Sequence, residues 1–499
     1  MHFIDLVIFA VYILAMLAVG LYYFRNNKSS EDYYVGGRGM TKWHIGLSVV
    51  ATDVGGGFSI GLGGLGFAMG LSGSWMLFTG LIGAWLTAVV LVPRVYRLAS
   101  EKKFFTFPQI FEHFYDRKVA LLAGLISVIG YLGFTSSQIL AGAKLASATF
   151  DGLSIDTAIV VMGIVAVVYT VMGGLKAVIY TDTVQWILLM GGLIFIGIPM
   201  AYLAVGGWDA IKSTLDPAFL SMTNVGWKTL FNWAITIIPI WFVGMTLYQR
   251  IYACKSETEA KKAWFIAGVF EFPIMAFMGV LLGLFARVGF ENEVFAWAEA
   301  SQIDSEMGLP LLLKSVLPIG LTGLMMSAYF SAILSTADSC LMAASGNFVT
   351  DLLGKVVQLS ERAELRFSQI TTLLIGAAAV TIALAMENVL ELMLLSYAFM
   401  VSGLLVPVLM AWYTQKPNFN GAFAAMLAGG TLTAGLELIK KFGPNSTSGS
   451  ALNNLYIFLN EKIFSIGLDA NMYGIAISLI LYVLIAKLSN KQQHEPTYG

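Results

Sequence analysis

Long apolar runs recur along almost the whole chain, and each is close to the length that an α-helix needs to cross a lipid bilayer. About 20 apolar residues cross the hydrocarbon core as a helix. Continuous runs without alternation favour helices over the strands of a β-barrel. We therefore predict an all-α polytopic membrane protein with about thirteen transmembrane segments, at residues 3–24, 44–69, 74–96, 119–148, 157–175, 183–205, 230–253, 263–287, 311–349, 367–386, 390–413, 419–439 and 469–487.

The composition excludes several other classes of protein. The 499 residues are 58% hydrophobic and 12% charged, which is outside the range of soluble domains. A formal net charge of −1 gives no indication of a nucleic-acid partner. The two cysteines and four histidines have no metal-ligand spacing, and no nucleophile lies beside a base. We therefore expect no enzyme, no cofactor, no transition metal and no nucleic acid.

Basic residues are distributed unequally between the two sets of predicted loops. The loops after odd-numbered segments, together with the C-terminal tail, carry 21 Lys and Arg, and the other loops carry seven. Cytoplasmic loops carry such an excess. We expect a plasma (inner) membrane protein with its N-terminus outside and its C-terminus in the cytoplasm. Arg250 is interpreted as a cytoplasmic anchor, and Lys144 as a side chain that extends to the nearer surface.

The stretch ATDVGGGFSIGLGGLGFAMG, residues 51 to 70, combines two features that membrane helices rarely tolerate. Glycine weakens a helix by roughly 1 kcal/mol relative to alanine, and a carboxylate such as Asp53 is costly in the bilayer. Non-helical backbone at membrane depth must face protein or a wet cavity. We predict that the helix opens at Gly55–Gly57 and exposes carbonyl oxygens and a helix N-terminus to an ion and a solute. Glycines 61 to 70 are interpreted as helix-packing positions.

The ninth segment contains FSAILSTADSCLMAAS, residues 330 to 345. Ser335, Asp338 and Ser339 are spaced i, i+3, i+4, so they share one helix face. Oxygen ligands of this kind suit a hard cation, although hydroxyls in helices also bond to their own backbone.

Two further acids lie inside predicted segments. Asp182 begins the sixth segment, where it either complements the helix dipole or takes part in ion binding. Glu271, in the eighth segment, either pairs inside the bundle or carries a proton.

The seventh segment includes IIPIWFVGMTLYQRIYACK, residues 237 to 255. Pro239 and Gly244 can kink or open it. Trp241, Tyr248 and Gln249 either line a cavity or belong to a packed core, and the sequence does not separate these alternatives.

Two stretches, YTVMGGLKAVIYTDTVQ from residue 169 and LSTADSCLMAAS from residue 334, resemble the characteristic sequences of the sodium/solute symporter family. Within the family, ATDVGG, GLSGSW with GAW, and AGAKLASATF look most like the sodium/proline branch. VGGGF is similar to the choline branch, which carries no acid at the position of Asp53.

This resemblance implies a LeuT-type fold with two inverted five-helix repeats. A single transporter domain would cover 1–499, with core repeats at about 43–206 and 229–414 and peripheral helices at 3–24, 419–439 and 469–487. The implied function is sodium-coupled symport of a small organic solute by alternating access, with an amino acid such as proline as the best candidate. Choline, another small solute such as a sugar or carboxylate, or a proton-coupled carrier are the alternatives.

The resemblance also implies site residues. The main sodium site would use the carbonyls or side chains of Ala51, Asp53, Val54, Ala332, Ser335 and Thr336. A possible second ion site would use Asp182, Asp338 and Ser339. The substrate would lie between the second and seventh segments, near Asp53, Gly55, Gly56, Gly57, Phe58, Trp241, Met245, Tyr248 and Gln249. Gly57 stands where the proline branch has a bulky aromatic residue, which leaves room for a larger or different solute.

Overall fold

The computed structural model describes residues 1–26, 35–53, 55–172, 175–295, 304–357, 360–444, 446 and 450–492. Over these residues the regular structure is helical, and one isolated parallel bridge joins Met40 to Cys254. The first half of the chain forms α1 (Phe3–Asn26), α2 (Lys42–Asp53), α3 (Gly55–Met69), α4 (Trp75–Val90), α5 (Val92–Lys102), α6 (Pro108–Phe114), α7 (Arg117–Thr149), α8 (Ile155–Met172), α9 (Leu175–Gly192), α10 (Ile198–Ala204) and α11 (Gly207–Thr214).

The second half forms α12 (Trp227–Val243), α13 (Met245–Ala253), α14 (Glu257–Val269), α15 (Ala276–Glu291), α16 (Gly308–Val316), α17 (Leu321–Gly346), α18 (Glu361–Leu384), α19 (Val389–Tyr413), α20 (Phe419–Phe442), α21 (Ala451–Lys462) and α22 (Ala470–Gln492). Each of the thirteen predicted segments falls on one of these helices or on a broken pair of them.

The membrane class predicted from the sequence is confirmed by these helices. In the described part of the chain, nine helical stretches are long and apolar enough to cross a membrane, and the bent pair α12–α13 makes a tenth. One of the nine, Gly57–Val90, runs through α3 and α4 and so joins parts of two predicted segments. Phe3–Met16 and Ile155–Val171 are shorter apolar helices at the first and fifth predicted segments.

The centre of the bundle is α17, which packs against α7, α9 and α1. Every residue of α17 from Met325 to Gly346 is buried. Small residues along this helix let neighbouring backbones approach closely. Asp5 of α1 accepts hydrogen bonds from the backbone N–H groups of Gly320 and Gly323 at 2.7 and 2.9 Å, so a buried carboxylate caps the N-terminus of α17.

The last long helices form a separate layer beside this centre. Helices α20 and α22 pack mainly on each other and on α19. Glycines make this contact close, because a Cβ added to Gly474 would lie 2.8 Å from the carbonyl oxygen of Gly429. In lipid, where apolar surface gains little by burial, such close contacts between helices hold a bundle together.

Lys144 does not extend to the surface, so that expectation from the sequence was wrong. Its side chain is 2% exposed, and its Nζ lies 2.7 Å from Glu306 and 2.6 Å from Asp304. Glu306 also accepts hydrogen bonds from the backbone N–H groups of Val389 and Leu390. The lysine therefore joins α7 to the segment before α16 and to the start of α19, three parts of the chain that are distant in sequence.

We expect Lys144→Met to destabilise the protein by about 3–5 kcal/mol, because it leaves the Glu306 carboxylate buried without its cation. The matched control is Lys314→Met, which removes a 2.6 Å pair with Asp151, a residue whose side chain is 77% exposed, and should change stability by about 1 kcal/mol or less. Unfolding of the two purified variants in detergent, followed by circular dichroism, measures the difference. Equal losses would contradict the assigned role of Lys144.

Candidate ion and substrate site

The helix predicted to open at the glycine cluster departs from helical geometry there. Helix α2 ends at Asp53, and Gly55, the first residue of α3, has a φ of +56°. Just before the break, the Ala51 carbonyl accepts a hydrogen bond from Thr336 Oγ1 at 2.8 Å. The same hydroxyl lies 3.1 Å from the Ala332 carbonyl oxygen, one turn earlier in α17. The structure thus brings together Ala51, Ala332 and Thr336, and Val54 lies outside the described residues.

Gly55 is required by the shape of this break. Its φ is +56°, in the left-handed region that L side chains rarely adopt. A Cβ at this position would lie 2.7 Å from Thr336 Oγ1. The glycine therefore allows both the change of chain direction and the close approach of α17.

Ser335 bonds to a different partner from its neighbour Thr336. Its hydroxyl donates to Asp182 Oδ1, and the Ser48 hydroxyl donates to Asp182 Oδ2 at 2.5 Å. Arg250 Nη2 lies 3.5 Å from the same Oδ2, and both charged side chains are fully buried. Arg250 is therefore an internal ion-pair partner, and its interpretation as a cytoplasmic anchor was wrong.

Arg250 is further held by oxygens from three helices. It donates to Thr52 Oγ1 of α2 at 2.5 Å, to Ser339 Oγ of α17 at 3.1 Å and to the Thr246 carbonyl of α13 at 3.2 Å. These bonds join α2 and α13, one half of each broken helix, to α17. Sequence reasoning placed Arg250 at a segment end and missed this role, although the hydroxyls at Ser48 and Thr52, one turn apart on α2, were a detectable signal.

Two of the three residues predicted for a second ion site lie together. Asp182 and Ser339 both contact Arg250. Asp338 is fully buried, and the polar side chain beside its carboxyl group is Thr170 of α8. The structure thus places Asp338 apart from the hydrogen bonds that join the other two.

Asp53, at the end of α2, has two neighbours from distant helices. The Tyr397 hydroxyl of α19 lies 3.4 Å from both the Asp53 carbonyl oxygen and its Oδ1. The carboxyl group of Glu271 faces that of Asp53 closely enough for a proton between them to form a hydrogen bond. Sequence reasoning singled out Glu271 but could not identify this partner.

The beginning of α3 faces α7. A Cβ at Gly57 would collide with the side-chain amide of Gln138. The space beside this glycine is therefore filled by the glutamine side chain and is not free for a larger solute. Phe58 is 2% exposed. Gly56 lies in α3 between them.

The second broken helix bends by 43° between α12 and α13. The break is at Gly244, with φ −69° and ψ 113°, while Pro239 lies inside α12. Tyr131 of α7 satisfies the exposed backbone, because the Thr246 N–H donates to its hydroxyl at 3.0 Å. The breaks predicted in the second and seventh segments are thus both present.

Three predicted substrate residues of this helix have neighbours outside α3. Trp241 packs beside Gly83 of α4 and Trp264 of α14, with indole centroids 6.5 Å apart. Met245 accepts a hydrogen bond from the backbone of Phe107, and the Tyr248 ring lies 4.4 Å from that phenylalanine ring. Gln249 is buried, and its side-chain Nε2 has no partner in the described part of the structure.

Comparison with known proteins gives one consistent family. The model of the sodium:solute symporter family matches residues 33–429. The chain is 27% identical to the sodium/glucose cotransporter of Vibrio parahaemolyticus, over 70% of this chain and 69% of that protein. It is 28% identical to the sodium/proline symporter of Escherichia coli, over 85% and 86%, and to an osmoregulated proline transporter of Bacillus subtilis, over 84% and 86%.

Two solved structures share the fold. A substrate-bound, outward-open sialic acid symporter that is coupled to Na⁺ aligns with a TM-score of 0.75 at 21% identity, over 98% of both chains. A nucleobase-cation-symport-1 family transporter, closed around bromovinylhydantoin, aligns with a TM-score of 0.55 at 13% identity, over 95% of this chain and 97% of that one. The predicted LeuT-type fold is confirmed.

We expect Gly55→Ala to destabilise the protein by about 1–3 kcal/mol, because alanine resists the left-handed backbone and its Cβ meets Thr336. Gly191→Ala is the matched control, since nothing lies within 4 Å of a Cβ in that α9 position. The control should gain up to about 1 kcal/mol from the better helix former. Thermal unfolding of both variants in detergent tests this, and a stable Gly55→Ala protein would exclude the observed conformation of the break.

Proposed function

Because this chain belongs to the sodium:solute symporter family, we propose that it imports a small organic solute together with sodium by alternating access. It is a multi-pass membrane transporter and not an enzyme, and sodium is the coupling ion that the family implies. The observation that supports the proposal is the Thr336 hydroxyl, which lies 2.8 Å from the Ala51 carbonyl oxygen in the broken helix and 3.1 Å from the Ala332 carbonyl oxygen in α17.

In this proposal, sodium takes the place of the Thr336 hydrogen bond at the break. The carbonyls of Ala51, Val54 and Ala332 and the hydroxyls of Ser335 and Thr336 hold it, and hard cations prefer such oxygen ligands. Asp53 supplies negative charge two residues from Ala51. Bound sodium would hold α2–α3 against α17, so the solute binds more tightly to the sodium-loaded state. That difference in affinity is the coupling.

A possible second ion site uses Asp182, Asp338 and Ser339. In the structure, Arg250 supplies the positive charge beside Asp182. An ion can replace that charge only when the guanidinium withdraws from Asp182, through a change of the Arg250 rotamer or a movement of α13. We therefore assign Arg250 the role of holding the second site closed while its guanidinium stays beside Asp182.

For the solute we propose an amino acid such as proline, bound between the breaks of α2–α3 and α12–α13 beside Asp53, Gly55, Gly56, Gly57, Phe58, Trp241, Met245, Tyr248 and Gln249. Two relatives that align over most of the chain are proline transporters, and choline is the main alternative. The core repeats would be 43–206 and 229–414. The protein would lie in the plasma membrane with its N-terminus outside and its C-terminus in the cytoplasm.

The first test is uptake of radiolabelled proline into proteoliposomes with an inward sodium gradient, because only a coupled carrier accumulates solute against its own gradient. We expect accumulation with sodium and none when potassium replaces sodium at the same pH. Equal uptake in potassium would indicate a proton-coupled carrier. Sodium-dependent uptake of choline, but not of proline, would support sodium coupling and would identify choline, in place of proline, as the solute.

We expect Thr336→Ala to raise the sodium concentration for half-maximal uptake by about tenfold, because a hydroxyl ligand of a cation is lost. Ser335→Ala should act in the same direction. Thr336→Ser keeps the hydroxyl and serves as the matched control with near-normal sodium dependence. If both alanine variants keep the sodium dependence of the unmodified protein, the sodium site is elsewhere.

A further inference from the structure

Two buried carboxyl groups from different broken helices meet near the middle of the molecule. Asp53 ends α2, and Glu271 lies in the irregular segment Phe270–Met275 between α14 and α15. That segment is interrupted at Phe272, whose φ of −137° and ψ of 125° are extended. Asp53 is 8% exposed and Glu271 is fully buried. The pair therefore joins two places where membrane helices depart from regular geometry.

No cation of the described residues neutralises this pair. The buried Arg250 is bound to Asp182, and the buried Lys144 to Glu306 and Asp304. Neither oxygen of Glu271 has a hydrogen-bond donor within the described chain.

Two neighbouring buried carboxylates repel each other, and removing them from water adds a further cost. A sodium ion at Ala51 and Thr336 supplies one positive charge, whereas the ionised pair carries two negative charges. A second positive charge must come from outside the protein. A proton or the transported solute can supply it.

A neighbouring polar group favours a ligand that donates a hydrogen bond. Gln138 of α7 lies against Gly57, in the first turn of α3, and its buried Oε1 has no partner among the described residues. One turn earlier on α7, Phe134 packs edge-on against Tyr397, with ring centroids 5.1 Å apart. Tyr397 in turn contacts Asp53. Phe134 and Gln138 are four residues apart on α7 and share one of its faces, so the unpaired amide oxygen faces the same way as the ring that contacts Tyr397.

Two carboxyl groups and an unpaired amide oxygen match a ligand that carries positive charge and donates hydrogen bonds, and they do not match an anion.

We propose that Asp53 and Glu271 bind the ammonium group of the transported solute, so the substrate is a small molecule that carries a cationic nitrogen. This inference rests on the proposed function, since it uses the same substrate site. It includes amino acids and choline, and it excludes neutral sugars and simple carboxylates. Glu271 thereby becomes a specificity residue, which none of the motifs assigned to the family indicated.

The test measures binding to the purified full-length protein in detergent with sodium chloride. The probes are tetramethylammonium, choline and proline as cationic nitrogens, with glucose as the neutral probe and acetate as the anionic one. Binding is followed by isothermal titration and by the shift of the unfolding temperature. The variants are Glu271→Gln, which removes the charge at constant size, and Glu271→Asp, which keeps it on a shorter side chain. The matched control is Glu461→Gln, an exposed acid of α21.

We expect the ammonium probes to bind in sodium, with affinity at least about tenfold lower in Glu271→Gln, because a buried charge partner is lost. Glu271→Asp should keep most of the affinity, and Glu461→Gln all of it. The inference is overturned if no ammonium probe binds, if only glucose or acetate binds, or if Glu271→Gln binds the ammonium probes unchanged. Sodium-dependent binding of glucose would contradict this inference but agree with sodium coupling. If no probe binds in a sodium-dependent way, the proposed function is contradicted as well.

Discussion

A membrane helix that breaks in its middle leaves backbone groups without partners, and lipid offers none to replace them. This chain meets that constraint with hydroxyl groups from the two central helices. Thr336 of α17 bonds to the Ala51 carbonyl beside the first break, and Tyr131 of α7 accepts the Thr246 N–H beside the second. The two breaks can exist because α17 and α7 supply hydrogen-bond partners that lipid lacks. A substitution at either hydroxyl therefore alters how the broken helices are held.

Buried charges divide into two groups according to their partners. Lys144 with Glu306, and Arg250 with Asp182, are compensated within the protein, and each pair joins helices that are distant in sequence. Asp53, Glu271 and Asp338 are buried and form no ion pair with Lys144 or Arg250, the two buried cations of the described residues. Buried ions without partners are costly, so compensated pairs suit a structural role and uncompensated acids suit ligand binding. This division gives a physical reason to separate residues that position helices from residues that receive the solute.

Several features of the site follow from local sequence alone. The break at Gly55 depends on a backbone conformation that glycine adopts without strain, and the spacing of residues 335 to 339 sets one face of a helix. By contrast, the interruption at Phe272 was missed, although Pro273 biases the residue before it towards extended backbone. Arg250 and Lys144 were misplaced because a basic residue near the end of an apolar run resembles an anchor whether or not a buried acid faces it.

The sequence by itself determined the membrane class, the helical segments, the two broken helices and the family, because segment length, glycine placement and short motifs are local properties. Only the tertiary structure decided which acids meet a cation and which meet each other. Asp182 and Arg250 are 68 residues apart in the sequence, and Asp53 and Glu271 are 218 residues apart. Whether a buried carboxylate is neutralised depends on side chains brought beside it by helix packing, and neither periodicity nor composition records that proximity.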